Sequence, residues 1–228
     1  MGKIGLVVSC LLLSACLCAD WSKVDAIMRE AINERVFPGG VITVANESST
    51  IYRKAYGGLT YNNMLHDVEV TNATQYDIAS ITKVMAATYA VMNLYSSKSI
   101  QLNDSVTKWY SNYDVNRKGN TTIASLLLHN SGQKFDYPAP IPKTTDDVID
   151  YIVFAKPDFP VGTKFQYSNL GFLLLSQIVA KVARKSFDQY VTQNNIFAGL
   201  SNTRFNPPES DWYKVAPTEY DSGKFILT

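Results

Sequence analysis

The sequence predicts an α+β fold: an amphipathic helix, a β-hairpin, and then a block that is mostly helical. Three observations carry the prediction. Apolar residues recur at helical spacing over residues 22–36. A β-branched run and an alternating, aromatic-rich run flank turn residues over 41–56. Helical patterns then follow one another from residue 80 to about residue 194. The 228 residues are 46% hydrophobic and 18% charged, which excludes a disordered, collagen-like or coiled-coil chain. With 21 Lys+Arg against 20 Asp+Glu the net charge is +1, so no long-range field attracts polyanions and no nucleic-acid partner is expected.

The first 19 residues read as a signal peptide. Lys3 begins it, and Ile4 to Leu17 is an apolar run too short to span a bilayer, so no transmembrane span is expected. Cleavage after Ala19 would leave Asp20 as the first residue. All three cysteines (Cys10, Cys16 and Cys18) lie in this leader, so a protein cut there keeps no thiol and no disulfide. A second reading stands beside it: Leu13-Ser14-Ala15-Cys16 resembles a bacterial lipobox, with a lipid anchor at Cys16. Both readings place the protein outside the cytoplasm, secreted or membrane-anchored. Asn46, Asn72, Asn103 and Asn120 each begin an Asn-x-Ser/Thr acceptor, at a frequency close to what an Asn- and Ser-rich chain produces by chance.

In residues 20–228 the first helix carries Val24, Ile27, Met28, Ala31, Ile32 and Val36 on one face and stops at Pro38-Gly39-Gly40. Val41 to Ala45 and Thr50 to Tyr56 form the hairpin around Asn46-Glu47-Ser48-Ser49, and Gly57-Gly58 closes it. A helix runs from about Ser80 to Tyr95. Its centre has almost no polar face, which predicts burial on all sides. Further helices are expected over about 104–110, 122–129, 145–155, 170–185 and 187–194, and the chain reads as loop after Asn202. No repeat and no domain-separating linker is evident.

Ser80-Ile81-Thr82-Lys83 is a Ser-x-x-Lys motif at the start of the apolar helix. Spacing of three puts both side chains on one helix face, where they can share a proton. A serine hydroxyl is a poor nucleophile until a base takes its proton, and a desolvated lysine can be that base. The free N–H groups of the helix start can stabilise an oxyanion. Tyr167-Ser168-Asn169 is the second element: a phenol beside an ammonium titrates low and can relay protons. Both motifs have decoys, Ser105-Val106-Thr107-Lys108 and Tyr110-Ser111-Asn112. Tyr167 is preferred because it sits on a turn before a strongly apolar helix.

Five blocks occur in one order: Phe37-Pro38-Gly39-Gly40-Val41; Tyr76-Asp77-Ile78-Ala79-Ser80-Ile81-Thr82-Lys83; Leu126-Leu127-Leu128-His129-Asn130-Ser131-Gly132; Pro160-Val161-Gly162 leading to Tyr167-Ser168-Asn169-Leu170-Gly171; and Ala216-Pro217-Thr218-Glu219-Tyr220. Through them the chain resembles the serine penicillin-recognising superfamily of class C β-lactamases, DD-peptidases and related esterases. The resemblance spans roughly residues 24–221. It implies a β-lactamase/transpeptidase-like fold, a helical block packed on an antiparallel sheet, with only the first hairpin of that sheet present. It implies an exported serine hydrolase that forms an acyl-enzyme through Ser80 on an amide or ester: a β-lactam, a D-Ala-D-Ala peptide or a small ester. Lys83 would be the proton partner of Ser80, Tyr167 the base or relay, and Asn169 a substrate contact or a guide for Lys83. The segment around His129 would shape a loop, with His129 a partly buried structural histidine.

Family members are longer and carry a third motif, Lys- or His-x-Gly, on a later strand that supplies the second oxyanion N–H. Nothing after Tyr220 fills that role, and Ser222-Gly223-Lys224 has the reverse order. One half of an oxyanion hole elsewhere is worth about 100- to 1000-fold in rate. The sequence therefore also admits a catalytically inactive binding module or a gene fragment that keeps part of the fold. No cofactor is expected: His66 and His129 are too few for a metal site, and no phosphate-binding glycine loop occurs.

Overall fold

The computed structural model describes residues 20–61, 68–138, 144–221 and 224–226. The leader with Cys16, and His66, lie outside the described residues. The chain forms two compact units, one from residues 1–76 and 210–228, the other from residues 77–209. The first unit is thus assembled from both ends of the sequence, which no linker composition could announce.

In the first unit α1 spans Ser22–Asn33, and β1 (Gly39–Ala45) pairs antiparallel with β2 (Thr50–Gly57). The turn between the strands is held by Asn46, whose Oδ1 accepts the backbone N–H of Ser48 at 2.9 Å and of Ser49 at 2.8 Å. Helix α1 ends three residues earlier than its apolar spacing suggests, because Arg35 turns left-handed at φ 59°. Its inner face is not purely apolar. Asp25 Oδ1 accepts from Lys54 Nζ at 2.6 Å, Tyr56 OH at 2.7 Å and Tyr52 OH at 2.8 Å, while Ile27 and Val36 of the expected apolar face are exposed. The helix is therefore fastened to the hairpin by a charge-assisted cluster as well as by half-buried Met28 and Ile32, which lie against Gly40 and Gly57.

The segment after Asn202, read as loop, returns to the first unit. Gln75 and Val215 form a parallel bridge, with Gln75 N–H donating to Lys214 O and Ala216 N–H to Gln75 O, both at 2.8 Å. It then makes a second short hairpin, β3 (Glu219–Asp221) with β4 (Lys224–Ile226). Strands of three residues are too short to show a period in sequence.

The second unit holds the main core. A helix starts at Ile81, is π-helical over Lys83–Thr88, and continues as α2, Tyr89–Ser96. Helices α3 (Ile123–Leu127), α4 (Thr145–Phe154), α5 (Asn169–Ala183) and α6 (Phe187–Gln193) follow. Helix α5 is the hub and packs against α2, α3, α4 and α6. It buries Leu170, Leu174, Leu175, Ile178 and Val179, with Ala90, Val91, Leu94, Ile100, Ile123 and Ile152 in the same cluster. Full burial of each large aliphatic side chain contributes about 1.5–3 kcal/mol. Helix α4 is capped at Thr144 in a reciprocal box with Asp147, one residue before the expected start. Over the predicted segment 104–110 only a short 3₁₀ turn forms, Val106–Lys108.

The helix after Ser80 is not buried on all sides. Ala86, Ala87, Ala90, Val91 and Leu94 face the core, while Ile81, Val84, Tyr89 and Met92 are more than half exposed. An all-apolar run has no polar residues to mark its outer face, so composition reads as uniform burial what geometry divides into two faces.

Candidate active site

Ser80 sits at the foot of the apolar helix, directly after Ala79, whose φ of 43° is left-handed. For a residue with a Cβ this conformation costs about 1–2 kcal/mol. It is held by the N–H of Ala79 donating to Asp77 Oδ1 at 2.7 Å. The backbone N–H groups of Ile81, Thr82 and Lys83 are taken by the carbonyls of Ile78, Ala79 and Ser80. The Ser80 hydroxyl is solvent-exposed, and Lys83 Nζ donates to its Oγ at 3.0 Å. Lys83 opens the π-helical segment, and Thr88 Oγ1 donates back to the Lys83 carbonyl at 2.9 Å. Such wide turns are uncommon and recur at functional sites.

Tyr167 reaches the same ammonium from a different element. Lys83 Nζ lies 4.9 Å from the centre of the Tyr167 ring. The Lys83 ammonium first, and the Ser80 hydroxyl second, pull the Tyr167 phenol below its ordinary pKa, because both stabilise the phenolate. The turn that delivers Tyr167 is built by its neighbour. Ser168 is the N-cap of α5: its buried Oγ accepts from Gly171 N–H at 3.0 Å and donates to the Lys134 carbonyl at 2.6 Å. The loop from α3 meets this turn. Gly132, at φ 75°, passes so close to Phe159 that a Cβ there would run into the Phe159 carbonyl oxygen.

Asn169 is the first residue of α5. Its Nδ2 donates to Asp136 Oδ2 at 2.9 Å, and Asp136 Oδ1 accepts the N–H of Tyr137 at 2.8 Å. A carboxylate can only accept, so Asp136 fixes which end of the Asn169 amide faces it. Oδ1 of Asn169 is thereby turned inward, where it is buried and has no hydrogen-bond partner among the described residues. A cavity of about 520 Å³ opens over Ser80, Lys83, Asp136 and Asn169, and its far wall is apolar, formed by Phe172, Leu173, Phe187 and Phe205.

Ser80, Lys83, Tyr167 and Asn169 thus converge on one site. The decoys do not join them. Ser105 caps the 3₁₀ turn, accepting from Thr107 N–H and donating to Gly119 O, and Lys108 pairs with Asp104 at 2.9 Å. Burial, and then the Asp146 carboxylate, push Tyr110 up to about 12, opposite in direction to Tyr167. His129 is partly buried beside Tyr167, and its imidazole is pushed down first by burial and then by the Lys83 charge. Sequence reading missed Asp136 and the strained Ala79. An alanine before the motif serine carries no local signal of a positive φ, and the Asp136–Asn169 bond joins residues 33 apart.

The Beta-lactamase family model matches residues 24–227. An Escherichia coli O157:H7 protein named as a candidate D-alanyl-D-alanine carboxypeptidase is 29% identical, over 75% of this chain and 44% of its own length. Protein flp of Staphylococcus aureus strain MW2 is 28% identical, over 75% of this chain and 35% of its own. The chain therefore spans less than half the length of these curated relatives. Among solved structures, a class C β-lactamase superposes with a TM-score of 0.78 at 21% identity, covering 91% of this chain and 56% of that one. The D-alanine carboxypeptidase AmpC from Burkholderia cenocepacia superposes at 0.72 and 21%, covering 91% and 57%. The solved structures share the fold, and with the family model matching residues 24–227 the chain belongs to the β-lactamase family.

Proposed function

We propose that this chain carries the acylation site of a serine hydrolase acting on an amide or ester. The observation that carries the reading is the 3.0 Å contact between Lys83 Nζ and Ser80 Oγ, with the Tyr167 ring against the same ammonium. Ser80 Oγ attacks the substrate carbonyl carbon, and its proton passes into the Lys83–Tyr167 pair. The scissile bond to nitrogen or oxygen breaks, the leaving group takes a proton from that pair, and the acyl group stays on Ser80 as an ester. Water then hydrolyses the ester, returning the proton to Ser80. A phenol held below its ordinary pKa shares protons with an ammonium more readily than an unperturbed one. The Ser80 N–H, at the helix start, is suited to the developing oxyanion. Asn169 Oδ1, turned inward by Asp136, is an acceptor suited to a substrate N–H or to the lysine.

The substrate belongs to the β-lactam, D-Ala-D-Ala peptide or small-ester classes, and residues 20–228 form part of the hydrolase domain, acting after export. The export reading rests on Lys3 and the apolar run to Leu17, with a free Asp20 or a lipidated Cys16 as the mature start. Incubation with a fluorescent penicillin and with a fluorophosphonate, followed by intact mass, tests the reading. One covalent adduct on the wild type and none on Ser80→Ala supports the hydrolase. A folded protein that takes up neither reagent overturns it in favour of a silent binding module.

A further inference from the structure

His129 stands in a backbone position that favours another residue. It follows the C-terminal end of α3 at φ 55°, with its N–H bonded to Leu126 O and the next N–H, of Asn130, bonded to Ser125 O. Helices that end this way prefer glycine there, because a Cβ is strained in the left-handed region. The imidazole is present in spite of that cost, and its contacts gather around the Tyr167 turn. Its Nδ1 accepts the N–H of Ser168 at 3.0 Å. Its carbonyl accepts the N–H of Gln166 at 2.7 Å. Its ring stacks on the Tyr167 ring, with centroids 4.5 Å apart and planes inclined by 29°. Phe165 meets the imidazole edge-on at 5.8 Å, and Phe172 of α5 lies at 5.0 Å.

We propose that His129 is the positioning residue of the site: its neutral imidazole holds the Ser168 N–H and stacks on the Tyr167 ring, its backbone carbonyl holds the Gln166 N–H, and together these set the phenol against Lys83. The inference rests on the reading of Tyr167 as proton relay and goes beyond it. Tyr167 has no cap or ladder of its own, being the residue before the α5 N-cap, so its ring direction is decided by what it lies against. The backbone N–H on one side of it is fixed to the His129 carbonyl and the N–H on the other to the His129 imidazole. Because Nδ1 accepts a hydrogen bond, the ring proton is on Nε2 and the imidazole is uncharged. An uncharged ring can lie near the Lys83 ammonium without repelling it. His129 touches no reacting atom and acts only through Tyr167.

Two substitutions separate its two grips. His129→Phe keeps an aromatic ring for Tyr167 and removes the acceptor for Ser168. His129→Asn keeps an acceptor near the Nδ1 position, tolerates the left-handed backbone, and removes the stacked ring. The full chain is used, with folding checked by circular dichroism. Tyrosinate absorbance is titrated for each protein against its Tyr167→Phe counterpart, and amide exchange is followed across Gln166–Asn169.

The expected result for His129→Phe is about tenfold faster exchange at Ser168 and a Tyr167 titration moved up toward the ordinary phenol range. His129→Asn is expected to keep Ser168 protected while the Tyr167 titration still moves up. It carries the test if His129→Phe does not fold. A folded variant with wild-type exchange and a wild-type Tyr167 titration overturns the proposal. If wild-type Tyr167 itself titrates as an ordinary tyrosine, the proton-relay reading fails instead, and exchange at Ser168 alone decides whether His129 holds the turn.

Discussion

Lys83 is shared between Ser80 and Tyr167: its ammonium donates to the serine oxygen at 3.0 Å while lying 4.9 Å from the centre of the tyrosine ring. The first contact is local, set by one turn of helix. The second is tertiary, set by the loop that delivers Tyr167 to the start of α5. The proposed proton path exists only where the two meet.

Tyr167→Phe separates the phenol from the ring that bears it. Stacking on His129 and the contact with Lys83 survive, so the melting temperature should stay within about a degree. Acylation of Ser80 by a fluorescent penicillin or a fluorophosphonate should fall by about 10²- to 10³-fold. The labelling rate and the thermal melt, measured on the same sample, check both halves.

Lys118 gives the second unit a pH dependence of its own. It is fully buried, and its Nζ donates to the carbonyls of Ile152 at 2.8 Å, Val153 at 2.5 Å and Ala155 at 3.0 Å, closing the end of α4. Burial lowers its pKa to about 8 from 10.5. Between those two values the unfolded chain binds more protons than the folded one, so stability should rise with pH across that window. Lys118→Met removes this slope. It also leaves three carbonyls without their donor, so the variant should be less stable at pH 7 by about 1–3 kcal/mol. Urea melts at a series of pH values read both effects.

Asp25 governs the acid side of the first unit. Lys54 chiefly, then Tyr56 and Tyr52, hold its carboxyl far below its usual 3.8. A depressed carboxylate contributes stability that is complete above the unfolded value and is lost as pH falls below it toward the folded one. Asp25→Asn should therefore lower stability at neutral pH and flatten its fall below about pH 4, seen as converging melting curves for variant and wild type in acid.

Part of this was legible in the sequence because it is local. The first helix read over 22–36, though not its end at Asn33, the Asn46 turn, the start of α4 near Thr145 and the three-residue interval from Ser80 to Lys83 each follow from contacts within a few residues. What was not legible is tertiary or conformational. Ser105 and Tyr110 match the motifs letter for letter, and only packing sends Ser105 to cap a turn and Tyr110 into a partly buried site with a raised pKa. The left-handed Ala79 has a side chain that does not advertise a positive φ, unlike glycine or asparagine. Asp25 and Asp136 read as ordinary surface acids until their distant partners, Lys54 and Asn169, are brought to them. The exposed face of the helix after Ser80 is made of the same residue types as its buried face, so no pattern could divide them.

If Lys83 makes the Ser80 hydroxyl reactive, the second-order rate of fluorophosphonate labelling must fall in Lys83→Met. The expected rate is about 10²- to 10⁴-fold below wild type in a protein that still folds, while Ser105→Ala labels at the wild-type rate. A folded Lys83→Met protein that labels at Ser80 as fast as wild type would contradict it.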